Sequence, residues 1–227
     1  MHWWHGRFAL PECVRHVLLL DLDNTLVERD VAFARWLVDL LARRGMDAAS
    51  AQGVRIMEDI TASDDHARND REEFCRYVAS RHPDIAISPQ ALWRELSRLP
   101  DFLEPAPAVR EMLQRLSRKW SLRVVSNGSG DIQRRKMKKT GLDGLFDGIW
   151  ISGEQGMEKP DLEIFRGALG GDDPRTAVMV GDDPIRDIRP ARALGIATVH
   201  VEPSHRDLQA LPDAKIRHIL QLEEILA

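Results

Sequence analysis

Four short and nearly continuous apolar runs, each stopped by turn residues, constrain this chain more than any other feature. They are His16-Val17-Leu18-Leu19-Leu20, Leu122-Arg123-Val124-Val125-Ser126, Ala177-Val178-Met179-Val180-Gly181 and Ala197-Thr198-Val199-His200-Val201. Runs of this length without polar alternation are buried on both faces, which is how the strands of a parallel sheet read. From about residue 106 onward, stretches with helical spacing lie between them: Val109 to Lys119, Asp131 to Thr140, Leu162 to Leu169 and Ile185 to Leu194. This alternation predicts an α/β fold, a Rossmann-like, doubly wound parallel sheet with helices on both faces.

Residues 28–104 depart from that pattern. They offer no convincing strand, and the apolar positions Phe33, Trp36, Leu37, Leu40 and Leu41 recur at helical spacing. The charged Glu28-Arg29-Asp30 marks the departure from the sheet, and Pro105 and Pro107 mark the return. The expected organisation is a core of residues 1–27 and 105–227 interrupted by a helical insertion, 28–104, with a terminal helix from Ile216 to Leu226.

Composition excludes several classes. Hydrophobic residues make up 43% and charged residues 30% of the 227, as in an ordinary soluble protein. No window approaches the ~18 apolar residues that a membrane helix needs. The start, with Trp3 and Trp4, lacks the basic beginning and small-residue cleavage site of a secretory signal, so a cytoplasmic protein is expected. Cys13 and Cys75 are too few and too far apart for a disulfide framework or a metal knuckle. The net charge of −4 gives no reason to expect nucleic acid. The one basic run, Arg134, Arg135, Lys136, Lys138 and Lys139, is interrupted by Ile132 and Met137 at near-helical spacing and reads as the solvated face of an amphipathic helix. Nothing in the sequence fixes an oligomeric state.

In an open parallel sheet, ligands bind beyond the carboxyl ends of the strands. The polar residues are placed accordingly: Asp21 and Asp23 after the first run, Ser126-Asn127-Gly128 after the second, Gly181-Asp182-Asp183 and then Asp187 after the third. Carboxylates from two strand ends would crowd one crevice, and they repel unless protons or a cation compensate. A hard cation with oxygen ligands, Mg²⁺, answers that need and would draw in a phosphate. Lys159 lies in a loop just before a predicted helix, where its ammonium can neutralise a carboxylate and a phosphate oxygen. Ser126 offers a hydroxyl, the Asn127-Gly128 backbone offers amides, and Thr25 can serve from the other side. Taken alone, a DxDxT segment is equally compatible with a solvated turn or a helix cap.

Together the segments Asp21-Leu22-Asp23-Asn24-Thr25, Val125-Ser126-Asn127-Gly128, Lys159-Pro160-Asp161 and Gly181-Asp182-Asp183 with Asp187 resemble the four ordered motifs of the haloacid dehalogenase-like hydrolases. The resemblance covers nearly all of the chain after the first ~15 residues, and an insertion between the first two motifs is similar to that of members with a helical cap of the first type. It implies that Asp21 is the nucleophile, carrying the phosphoryl group transiently, and that Asp23 is the acid and base. It implies a Mg²⁺ held by the Asp21 side chain, the Asp23 backbone carbonyl and Asp182, with Asp183 and Asp187 behind them. Thr25, Ser126, Asn127 and Lys159 would hold the substrate phosphate.

The aspartate at position 23 sets this chain apart from the dehalogenases, which carry an aromatic residue there, and from phosphonate hydrolases, which carry a small residue and a cap lysine. This sequence has no lysine between Asp21 and Lys119. It departs from many relatives at Arg186 and Pro190, neither of which touches the inferred chemistry. The expected activity is hydrolysis of a small phosphorylated metabolite, of the sugar phosphate, phosphoglycolate or nucleotide monophosphate class. A phosphomutase or phosphotransferase keeps the same aspartates, and an idle binding protein on this fold is a third reading. In the insertion, Arg29, Asp30, Arg35, His66 and Arg68 are candidate substrate contacts, whereas Phe33 and Trp36 read as core. His200 and His205 lack the partners of a metal site.

Overall fold

The computed structural model describes residues 16–67, 69–201 and 211–226. Trp3, Trp4, Cys13, Arg68 and His205 lie outside them. The chain divides into two compact units, one of residues 1–27 and 105–227, the other of residues 28–104.

The first unit opens with β1 (His16–Leu20), every residue of which is buried. The second unit then contributes helices α1 (Arg29–Arg43), α2 (Ala51–Asp64), α3 (Arg71–Arg81) and α4 (Pro89–Leu96). The chain re-enters the first unit at α5 (Pro107–Leu116) and continues through β2 (Trp120–Ser126), α6 (Gly130–Thr140), β3 (Gly148–Ile151), the single turn α7 (Ser152–Gln155) and α8 (Leu162–Leu169). It ends with β4 (Ala177–Gly181), α9 (Arg189–Ala193), β5 (Ala197–Val201), β6 (Ala214–Ile216) and α10 (Leu222–Leu226).

The six strands form one sheet in the order β3-β2-β1-β4-β5-β6, and all five pairings are parallel. The strand order reverses direction between β1 and β4: β2 and β3 lie to one side of β1, and β5 and β6 to the other side of β4. An open parallel sheet has its ligand crevice at such a point. Under the strands, Val17, Leu19, Val125 and Met179 pack with Ile164, Phe165, Ala168 and Leu169 of α8 into a core that holds the crevice loops on a rigid base.

Two strands are added and two expectations are corrected. The edge strands β3 and β6, four and three residues long, are too short to stand out as apolar runs. Ile216 ends β6, so the terminal helix is confined to Leu222–Leu226. The stretch expected as a helix from Ile185 begins as a wide turn, Pro184–Ile188, and becomes α-helical only at Arg189, next to Pro190.

In the helical unit, Phe33, Trp36, Leu37, Leu40 and Leu41 are buried, as their spacing predicts. Ser50, Asp70 and Ser88 cap α2, α3 and α4, each accepting a backbone N–H. After α2 the backbone is left-handed at Asp65, His66 and Ala67, with φ of 43°, 54° and 62°, a costly conformation for residues with a Cβ. Asp64 holds that turn in place. It is 1% exposed, is bridged by both terminal nitrogens of Arg29, accepts from Arg71 Nη1 at 2.7 Å and receives the Ala67 N–H at 3.2 Å. Burial opposes its ionisation, but hydrogen bonding to Arg29 and the charges of Arg29 and Arg71 outweigh it and hold the carboxyl below its ordinary range.

Asp64→Asn leaves the buried Arg29 with the more exposed Asp30 carboxylate, 3.1 Å from its Nη1, in place of the buried Asp64 pair, and urea titration is expected to show about 2–4 kcal/mol less stability. Because the native carboxyl is depressed, this contribution is complete above the ordinary aspartate range and is lost as pH falls from there through the lower native value. The difference between native and variant should therefore hold from neutral pH down to about 4 and shrink below that.

Candidate active site

Asp21 follows β1 directly, and its backbone N–H continues the sheet by donating to the Val180 carbonyl of β4 at 2.9 Å. A tight turn then folds residues 22 to 27 back on themselves. Leu26 and Val27 both donate to the Leu22 carbonyl, and Asn24 adopts a left-handed φ of 57°, which asparagine tolerates better than most residues. Asp21 is thereby fixed at the sheet end, with Asp23 on the same turn.

Lys159 reaches this point from the loop before α8. Its Nζ lies 2.6 Å from Asp21 Oδ1 and 2.7 Å from Asp187 Oδ1, and all three side chains are buried. The loop is tied to the end of β2 by Asn127, whose Nδ2 donates to the Lys159 carbonyl and whose Oδ1 accepts the Lys159 N–H, both at 2.8 Å. The Asn127 amide thus places Lys159 through one of its two N–H groups and its oxygen. Thr25 Oγ1 donates to the other Asp21 oxygen at 3.4 Å.

The loop after β4 completes the cluster. Asp183 Oδ1 accepts the N–H groups of Ile185 and Arg186 at 2.8 and 3.1 Å, capping the turn. The Asp183 N–H in return donates to Asp187 Oδ2 at 3.0 Å. His200, inside β5, donates from Nε2 to the Asp182 carbonyl at 2.9 Å and so steadies the segment that presents Asp182. Gly181 permits the arrangement, since a Cβ there would lie 2.2 Å from Asp187 Oδ2. Asp21, Asp182 and Asp187 each place a carboxylate oxygen within 4.8 Å of the others.

The electrostatics follow from three carboxylates around one ammonium. Burial works against the Lys159 charge, but Asp187 and Asp21 together outweigh it and hold the ammonium above its ordinary range. Burial raises Asp21 against the opposing pull of Lys159, and it lifts Asp187 to about 7. Asp182 is pushed well above the carboxylate range by burial and then by the charges of Asp21, Asp187 and Asp183. Such a cluster has more negative charge than Lys159 can offset, and its donors are hard oxygens, so the residues fit a divalent cation.

The basic helix corrects one expectation. Arg134, Lys138 and Lys139 are exposed, but Lys136 is 4% exposed, with Nζ 2.7 and 2.6 Å from the two oxygens of Asp23. Gln133, which the sequence reading passed over, donates from Nε2 to Asp23 Oδ2 at 3.0 Å and to Ser126 Oγ at 2.7 Å. The signal was present in the spacing: Gln133, Lys136, Met137 and Thr140 are three, four and seven residues apart and form the buried face of α6.

Residues 18–201 match the family model of the haloacid dehalogenase-like hydrolases. The chain belongs to this family. Among curated members, it is 38% identical over 131 residues to a phosphoserine phosphatase of Thermus thermophilus, a match covering 56% of this chain and 51% of that one. It is 33% identical over 200 residues to a glyceraldehyde 3-phosphate phosphatase of Pyrococcus furiosus, covering 81% and 79% of the two chains. Several of its matches span about half the length of the curated relatives. The magnesium-bound HAD hydrolase YfnB of Bacillus subtilis shares the fold, with a TM-score of 0.77, 21% identity, and coverage of 93% and 98%. No helix among the described residues is long and apolar enough to cross a membrane.

Gly181→Ala forces Asp187 away from the strand end. Denaturant unfolding is expected to register a loss of about 1–3 kcal/mol from this overpacking.

Proposed function

We propose that this hydrolase cleaves phosphate monoesters of small metabolites in a Mg²⁺-dependent reaction, through an aspartyl-phosphate on Asp21. The observation that carries the reading is the pairing of Asp21 with the buried Lys159, beside Asp182 and two residues before Asp23. The phosphatase names of the curated relatives support it.

Asp21 attacks phosphorus through a carboxylate oxygen. The bond from phosphorus to the ester oxygen breaks, its electron pair leaves with that oxygen, and Asp23 delivers a proton to it. Water then attacks the phosphoryl group on Asp21, Asp23 takes a proton from that water, and the Asp21–phosphorus linkage breaks to release inorganic phosphate. Lys159 keeps Asp21 ionised and oriented and offers an ammonium to a phosphate oxygen. Ser126 accepts from Gln133, which leaves its own O–H to donate to the phosphate. Mg²⁺, held by the side chains of Asp21 and Asp182 and by the Asp23 carbonyl, would neutralise phosphate charge in the transition state. On this reading Asp187 and Asp183 support those ligands, and residues 28–104 are the cap, to which substrate selection belongs.

Phosphate release from p-nitrophenyl phosphate is expected with Mg²⁺, to be abolished by a chelator, and to fall by at least about 10³-fold in Asp21→Asn. Activity that survives both the chelator and the substitution would sink the reading. An isomerised product in place of free phosphate would transfer it to a mutase.

A further inference from the structure

Of the polar side chains that helix α6 turns inward, Gln133 and Lys136 reach Asp23, and neither is among the groups assigned above to the phosphate or the metal. We propose that Lys136 and Gln133 are positioning residues that fix the Asp23 carboxylate for proton transfer to the leaving group; the inference rests on the phosphatase reading of the site. Asp23 is only half-buried, on a turn, and an aspartate there would otherwise sample several rotamers. Instead its oxygens are held by Lys136 at 2.7 and 2.6 Å and by Gln133 at 3.0 Å, from positions one helical turn apart.

Placing an ammonium on the inner face of a helix costs stability even when the charge is paired. An apolar residue would fill that place more cheaply, as Met137 does in the next position. Lys136 therefore reads as a residue kept for what it holds. Gln133 extends the same arrangement to the phosphate side, because its amide donates to Asp23 and to Ser126 Oγ at once and so sets the acid and the phosphate-binding hydroxyl in fixed relation. It packs against the loop after β2 at Gly128, where φ is 134° and an added Cβ would lie 3.3 Å from the Gln133 side chain.

The proposal separates substrates by leaving group. An alkoxide must receive the Asp23 proton as its bond to phosphorus breaks, whereas p-nitrophenolate departs as a stable anion and needs none. Misplacing Asp23 should thus penalise alkyl esters selectively. The test compares kcat and KM for p-nitrophenyl phosphate and for the alkyl phosphate that the native chain turns over best, in native, Lys136→Met, Gln133→Leu and Lys136→Arg proteins. Lys136→Met and Gln133→Leu are expected to lose about 10²-fold in kcat/KM on the alkyl ester and less than about tenfold on the aryl ester, because kcat/KM reports the departure of the leaving group and not the later water step that both esters share. Lys136→Arg, which keeps the charge and the reach, is expected to restore most of the ratio. If Lys136→Met does not fold, Gln133→Leu carries the same comparison. Equal losses on both esters, or none on either, in an active chain overturn this inference alone. A native chain inert toward every ester overturns the phosphatase reading, and this inference with it.

Discussion

The Lys159 ammonium, 2.6 Å from Asp21 and 2.7 Å from Asp187, is the contact on which the crevice depends. Without it, two carboxylates would be buried side by side with like charge, an arrangement that costs several kcal/mol unless protons enter. Much of the surrounding structure can be read as what it takes to keep that lysine there. Asn127 clamps its backbone from the end of β2, Gly181 clears the room for Asp187, and the Asp183 N–H holds the other Asp187 oxygen. The groups come from four separate strand-end or loop segments, and the sheet order brings them to one place by setting β4 directly beside β1.

The same physics recurs in the helical unit with a different outcome. Asp64 is also a buried carboxylate, but it faces two guanidinium groups, so its charge is satisfied and its carboxyl is held low. In the crevice the balance runs the other way. One ammonium faces three carboxylates, and Asp182 and Asp187 are held high. Complete compensation makes a structural clasp; incomplete compensation leaves a place for a cation and a phosphate.

The fold was legible where the sequence is most uniform. Continuous buried runs such as Val17–Leu20 and Val178–Val180, alternating with helical stretches, read as strands of a parallel sheet, and the polar residues after them mark the crevice. The short edges β3 and β6 were not legible, because three or four residues do not establish a period. In the site, Asp21, Lys159, Asp182 and Asp187 were readable from strand ends and motif spacing. Lys136 was not legible as a site residue, because its charge type matches its basic neighbours and only its position differs. A lysine inside a basic run looks solvated, and only the shared face with Gln133, Met137 and Thr140 reveals that it points inward. The Asp64 cluster was invisible for a related reason: its partners Arg29 and Arg71 lie 35 and 7 residues away in sequence, and no local pattern links them.

In the proposed reaction Asp21 bonds covalently to phosphorus during turnover. Acid quenching of the native chain during steady-state hydrolysis of a phosphate ester, followed by peptide mass spectrometry, tests it directly. One phosphoryl group is expected on the peptide that contains Asp21, absent from Asp21→Asn. A chain that turns over while carrying its phosphoryl group on another residue, or none at all, would contradict it.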